Sequence, residues 1–210
     1  LLGECALEAG IPPGVLNIVT GGGITGAAIV DHERVDKVAF TGSTEVGREI
    51  GAMAGRQLKR VTLELGGKSP NIVMPDADIA AATKGAFTGM YFNSGQACNA
   101  ATRLFVHTDV FDEVVGALAE RAAATRPGPG LDPKTFVGPL ISETQLQRVS
   151  GYVDRGRSEA ELVAGGGSDT SDGGYFLEPT LFVADDDQAA IVREEIFGPV
   201  LVAQRFDDLE

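Results

Sequence analysis

Two cysteines and two histidines are all that 210 residues offer for disulfide or zinc chemistry. Cys5 and Cys98 cannot build a disulfide framework, so a reducing compartment, the cytoplasm, is the expected setting. His32 and His107 stand apart from any cysteine, which removes most zinc geometries, and no metal is expected. Basic residues are also scarce: 17 Lys and Arg face 30 Asp and Glu, leaving a formal net charge of −13. A polyanion needs a basic footprint, so neither nucleic acid nor an anionic membrane is expected as a partner. No apolar run approaches the ~18 residues that a membrane-spanning helix needs. There is no charged–apolar–small leader pattern and no internal repeat. The chain begins at Leu1, in mid-pattern and not at Met, which leads us to expect a fragment cut at both ends.

What is present is a globular composition, with 43% apolar and 22% charged residues. Glycine is abundant, 28 residues in short aperiodic clusters, which suits turns and close backbone approaches. Short β runs alternate with helical runs, the signature of a parallel sheet covered by helices. Strands are expected at 15–19, 37–40, 61–65, 71–74, 104–106, 161–163, 175–177, 181–183 and 199–206. Helices are expected at 1–9, 23–30, 43–54, 78–92, 109–124 and 142–159, with Ser43 and Ser142 as N-caps and Asp78 near a helix start. The fold class is therefore α/β.

Four stretches carry candidate chemistry. Thr41-Gly42-Ser43-Thr44-Glu45-Val46-Gly47 lies where a strand hands over to a helix, a place where free N–H groups and the helix dipole favour phosphate. It lacks the G-x-G-x-x-G spacing, and taken alone it reads as a capped helix start. Glu64 sits one residue before the end of a strand, ahead of Gly66-Gly67-Lys68, which suits a general base at a cleft or an ordinary ion-paired carboxylate. Cys98 follows a helix and its glycine stop, among small polar residues. A loop cysteine with free N–H groups nearby can be a thiolate nucleophile with an oxyanion site, though a lone cysteine also serves as a small core residue. A Cys–His pair would require the fold to bring in His32 or His107. Finally, Glu194-Glu195-Ile196-Phe197-Gly198-Pro199 makes a rigid loop in which Glu195 can accept from a ribose hydroxyl pair, or simply be a solvated helix end with Phe197 in the core.

In this order and spacing the stretches resemble the NAD(P)-dependent aldehyde dehydrogenase superfamily, over essentially all 210 residues. The matching motifs are Pro13-Gly14-Val15 with Asn17-Ile18-Val19, Phe40-Thr41-Gly42-Ser43-Thr44, Glu64-Leu65-Gly66-Gly67-Lys68, Gly95-Gln96-Ala97-Cys98 and Glu195-Ile196-Phe197-Gly198-Pro199. Thirty-four residues separate Glu64 from Cys98, the usual spacing of the family's base and nucleophile. The resemblance implies a partial aldehyde dehydrogenase fold: residues 1–66 as the end of a variant Rossmann cofactor domain, and 67–210 as most of an α/β catalytic domain.

Carried onto this chain, the resemblance implies Cys98 as nucleophile and Glu64 as base. It implies Gly42, Ser43, Val46 and Gly47 on the pyrophosphate and adenine side of NAD or NADP. It places Leu65 at the nicotinamide end, Glu195 on the nicotinamide ribose and Phe197 beside that ring. The implied reaction oxidises a small-molecule aldehyde to an acid through a thioester on Cys98. The family's oxyanion amide and adenine-ribose lysine would lie upstream, so the fragment alone is expected to be inactive and its parent to be a homo-oligomer. Two alternatives are a CoA-acylating aldehyde dehydrogenase, against which Glu64 speaks, and a non-catalytic descendant, against which the intact Cys98–Glu64 pair speaks.

Overall fold

Three helices begin where a short polar side chain takes up an N–H that the helix itself cannot satisfy. Ser43 Oγ accepts from Val46 N–H at 3.3 Å, Asp78 Oδ1 from Ala81 N–H at 3.0 Å and Ser142 Oγ from Gln145 N–H at 3.2 Å. These caps start α3 (Thr44–Arg56), α4 (Ile79–Tyr91) and α6 (Glu143–Glu159). The computed structural model describes residues 1–171 and 173–208.

The chain divides into two compact units, Leu1–Leu65 and Gly66–Glu210. The first contains α1 (Leu2–Glu8), α2 (Gly23–Asp31), α3 and a parallel pair of strands, β1 (Lys37–Thr41) and β2 (Arg60–Glu64). Their register sets Thr41 beside Glu64 at the carboxyl ends. Val30, Val38 and Ile50 form a small core, joined by Phe40, Met53 and Leu63.

The segment 15–19, expected as a strand, is not one. Its β-type composition is right, but a strand needs a ladder partner, and among the described residues the sheet of this unit holds only β1 and β2. Local bonds hold the segment instead: Val15 N–H to Pro12 O at 3.2 Å, and Asn17 Nδ2 to Gly14 O at 2.9 Å. Val15, Leu16, Ile18 and Val19 remain exposed.

The second unit is built on a five-stranded sheet. In chain order its strands are β3 (Pro70–Val73), β4 (Arg103–His107), β5 (Glu161–Ala164), β8 (Thr180–Val183) and β9 (Val200–Phe206). Their spatial order is β3-β4-β9-β8-β5, all parallel except β5, which runs antiparallel to β8. A two-residue ribbon, β6 (Ser168–Asp169) with β7 (Phe176–Leu177), lies outside it.

Both faces of the sheet are covered, so β9 reads as a continuous apolar run. Leu201 and Ala203 point to the core shared with α4 and α5 (Phe111–Ala124), where Phe87, Met90, Tyr91, Val114 and Leu118 are buried. Val200 and Val202 point to the opposite core, with Leu146, Val149 and Val153 of α6 and Ile191 of the short α7 (Ala190–Arg193). Each such large side chain contributes about 1.5–3 kcal/mol on burial. α6 comes so close to the sheet that a Cβ on Gly156 would lie 2.8 Å from the Phe182 ring. Among the described residues no helix is long and apolar enough to cross a membrane.

Candidate active site

In the first unit the candidate residues gather at the carboxyl ends of β1 and β2, where open α/β sheets place their ligands. Gly42 N–H donates to Glu64 O at 3.1 Å and extends the pairing beyond β1. Ser43 caps α3 directly afterwards, and Val46 is exposed in its first turn. Gly47 is buried, and a Cβ there would overlap the Leu65 side chain, so the glycine allows Leu65 to pack against α3. Glu64 ends β2 exposed. The donor set suits the phosphates of a dinucleotide: an exposed strand-to-helix turn with first-turn N–H groups that lack intrahelical partners.

In the second unit the candidates gather at the amino ends of the strands. β3, β4 and β9 lie side by side in parallel, so the loops that precede them, 66–69, 92–102 and 194–199, converge. Gly67 N–H donates to Glu195 Oε1 at 3.2 Å, and a Cβ on Gly66 would overlap the Glu195 carboxylate. A Cβ on Gly67 would stand 3.3 Å from the Cys98 carbonyl oxygen, and one on Gly95 would overlap the carbonyl of Gly198. Gly95 is needed because the Gly198 backbone occupies the space of a side chain, whereas a side chain at Gly66 would displace the Glu195 carboxylate.

The loop that carries Cys98 is shaped by three successive left-handed residues, Asn93 (φ 51°), Ser94 (φ 57°) and Gly95 (φ 69°). Such a conformation costs a non-glycine residue roughly 1–2 kcal/mol, so it must be held. Ser94 Oγ donates to Gly138 O at 2.8 Å, Asn93 Nδ2 to Gln96 O at 3.0 Å, and Ile141 N–H donates to Gln96 Oε1 at 3.0 Å. Cys98 is exposed and free. His107 is no partner for it: it lies at the far end of β4, roughly 15 Å along the strand, where its ring accepts from Asp109 N–H.

Lys68 closes the Glu64–Lys68 motif. Its Nζ is buried with no hydrogen-bond partner among the described residues. Burial, then the nearby Arg103 charge, lowers its pKa from 10.5 to about 8, against the pull of Glu195 and Glu194. Between pH 8 and 10.5 the unfolded chain therefore binds more protons here than the folded one. The stability contribution of Lys68 thus rises with pH across that window, and below pH 8 the buried charge is a standing cost. Lys68→Met should stabilise the protein at pH 7 by about 3 kcal/mol, with the gain vanishing near pH 10.5. Urea unfolding of both proteins at pH 7 and pH 10 checks this, and a gain that grows with pH would contradict it.

Residues 1–210 match the aldehyde dehydrogenase family over the whole chain. The chain is 48% identical over 210 residues to the putative aldehyde dehydrogenase DhaS of Bacillus subtilis, covering all of this chain and 42% of that protein. It is 52% identical over 206 residues to the human mitochondrial aldehyde dehydrogenase, covering 97% and 40%. The NAD+ complex of an aldehyde dehydrogenase from Bacillus cereus superposes with a TM-score of 0.93 at 48% identity, over 96% of this chain and 41% of that one. The chain thus spans about two-fifths of the length of these relatives.

Proposed function

The chain belongs to the aldehyde dehydrogenase family, and from that premise we propose that the whole protein oxidises a small-molecule aldehyde to a carboxylic acid with NAD or NADP. The observation that carries this reading is the convergence of the three loops before β3, β4 and β9, with the Cys98 backbone against Gly67 and the Glu195 carboxylate against Gly66-Gly67. In this reading residues 1–66 belong to the cofactor domain and 67–210 to the catalytic domain.

The Cys98 thiolate adds to the aldehyde carbon, forming a C–S bond and moving the carbonyl electrons onto oxygen, where backbone N–H groups of its loop receive the charge. When bound, NAD(P) would supply the two-electron oxidant: the adduct would lose its carbon-bound hydrogen as hydride while the C=O re-forms, leaving a thioester on Cys98. Glu64 takes a proton from water, the hydroxide attacks the thioester carbon, and the acid leaves as Cys98 regains its thiolate. Gly42, Ser43, Val46 and Gly47 would hold the pyrophosphate and adenine side, Leu65 the nicotinamide end, and Glu195 and Phe197 the nicotinamide ribose and ring. Two free, exposed cysteines suit a reducing compartment such as the cytoplasm.

The test is product analysis on the whole protein with a panel of aldehydes. One NAD(P)H and one free carboxylic acid per aldehyde, without added CoA, are expected. Turnover that requires CoA and yields an acyl-CoA would favour the CoA-acylating alternative. No reduced cofactor with any aldehyde would favour the non-catalytic one.

A further inference from the structure

Ser142-Glu143-Thr144-Gln145 has the sequence of a capping box, in which the third residue of the helix reaches back to the N-cap N–H. Only half of that box is built. Ser142 Oγ accepts from Gln145 N–H, but the Gln145 side chain turns away. Its Nε2 donates to Phe197 O at 2.8 Å and Ile196 O at 3.3 Å. Both partners are carbonyl oxygens, so only a donor can serve at this place.

The segment it holds is strained: Phe197 has φ 60°, a left-handed conformation that a bulky residue rarely adopts. The same face of α6 grips the rest of the loop. Arg148 Nη2 donates to Glu195 O at 2.8 Å, and Tyr152 OH to Glu194 Oε2 at 2.7 Å. A Cβ on Gly198 would lie 2.5 Å from Val149, so loop and helix are in direct contact.

We infer that Gln145 is a positioning residue: its amide fixes the left-handed turn at Phe197 and so presents Glu195 and Phe197 to the dinucleotide. This rests on the cofactor role proposed above for those two residues. Gln145 touches their backbone and acts through them. A helix cap and a loop clamp make opposite demands here. A glutamate at 145 satisfies the capping box and the helix dipole as well as glutamine does. It cannot donate to two carbonyls, and its charge would repel them.

The experiment compares Gln145→Glu and Gln145→Met with the parent in the whole protein. Three measurements are made: the melting temperature, amide hydrogen exchange of residues 194–198, and KM for NAD+ and for aldehyde. For Gln145→Glu we expect a melting temperature within a few degrees of the parent. Exchange at 194–198 should be faster, and KM for NAD+ should rise about 10- to 100-fold, as for two lost hydrogen bonds. KM for aldehyde should change less than threefold. Gln145→Met, which keeps the length and removes the donor without adding charge, should show the same split more weakly. It also carries the test if the glutamate variant does not fold.

Unchanged exchange at 194–198 in the folded variant overturns the clamp itself. Faster exchange with an unchanged KM for NAD+ overturns the link to the cofactor. In that case Glu195→Gln and Phe197→Ala identify the cause: if they too leave KM for NAD+ unchanged, the cofactor role of the loop fails with it.

Discussion

Cys98→Ala in the whole protein is expected to lower the proposed aldehyde oxidation by about 10³-fold or more, the scale seen when a covalent nucleophile is removed. NAD+ binding should stay measurable, because none of the proposed cofactor contacts uses the thiol. The substitution is structurally mild. Cys98 is exposed, its loop is shaped by Asn93, Ser94, Gly95 and Gln96, and alanine retains the backbone N–H groups that would face an oxyanion. A fall in rate therefore reports chemistry and not unfolding. Cys5, exposed on α1, provides the internal control: Cys5→Ser should retain the parent rate. The measurements are NADH absorbance at saturating aldehyde and equilibrium binding of NAD+. Turnover of Cys98→Ala within tenfold of the parent would remove Cys98 from its role.

Legibility in the sequence followed the range of the interaction. Ser43, Asp78 and Ser142 were readable as helix starts because a cap is made within three residues. The run Val200-Leu201-Val202-Ala203 was readable as a strand because both of its faces are buried. Segment 15–19 has equally good strand composition and forms none, since pairing depends on a neighbour that composition does not encode. α7, four residues long, is too short to show a helical period.

The candidate site divides the same way. The glycines of the Glu64–Lys68 motif stood out as turn residues, but what lies against them comes from far along the chain: the Glu195 carboxylate at Gly66 and the Cys98 carbonyl at Gly67. Gln145 belongs to none of the four candidate stretches, and only the fold brings it to Ile196 and Phe197, 51 and 52 residues away. Lys68 was legible as a motif position and not as a buried, unpartnered amine.

Glu64→Gln separates the two halves of the proposed reaction. Glutamine keeps the size of the side chain at the exposed end of β2 and leaves the backbone bond from Gly42 N–H to Glu64 O in place, so the pairing with β1 is undisturbed. What it loses is the ability to take a proton. Reduced cofactor forms before water is needed, so the first turnover should survive, giving a burst of about one NADH per active site. Hydrolysis of the thioester then lacks its base, and the steady rate should fall on the order of 10²–10⁴-fold. Hydroxylamine, a nucleophile that needs no general base at neutral pH, should intercept the trapped acyl group as a hydroxamate and restore turnover. Stopped-flow absorbance with and without hydroxylamine reads all three quantities. A lost burst would assign Glu64 to the acylation half, and an unchanged steady rate would leave the proton transfer to a different group.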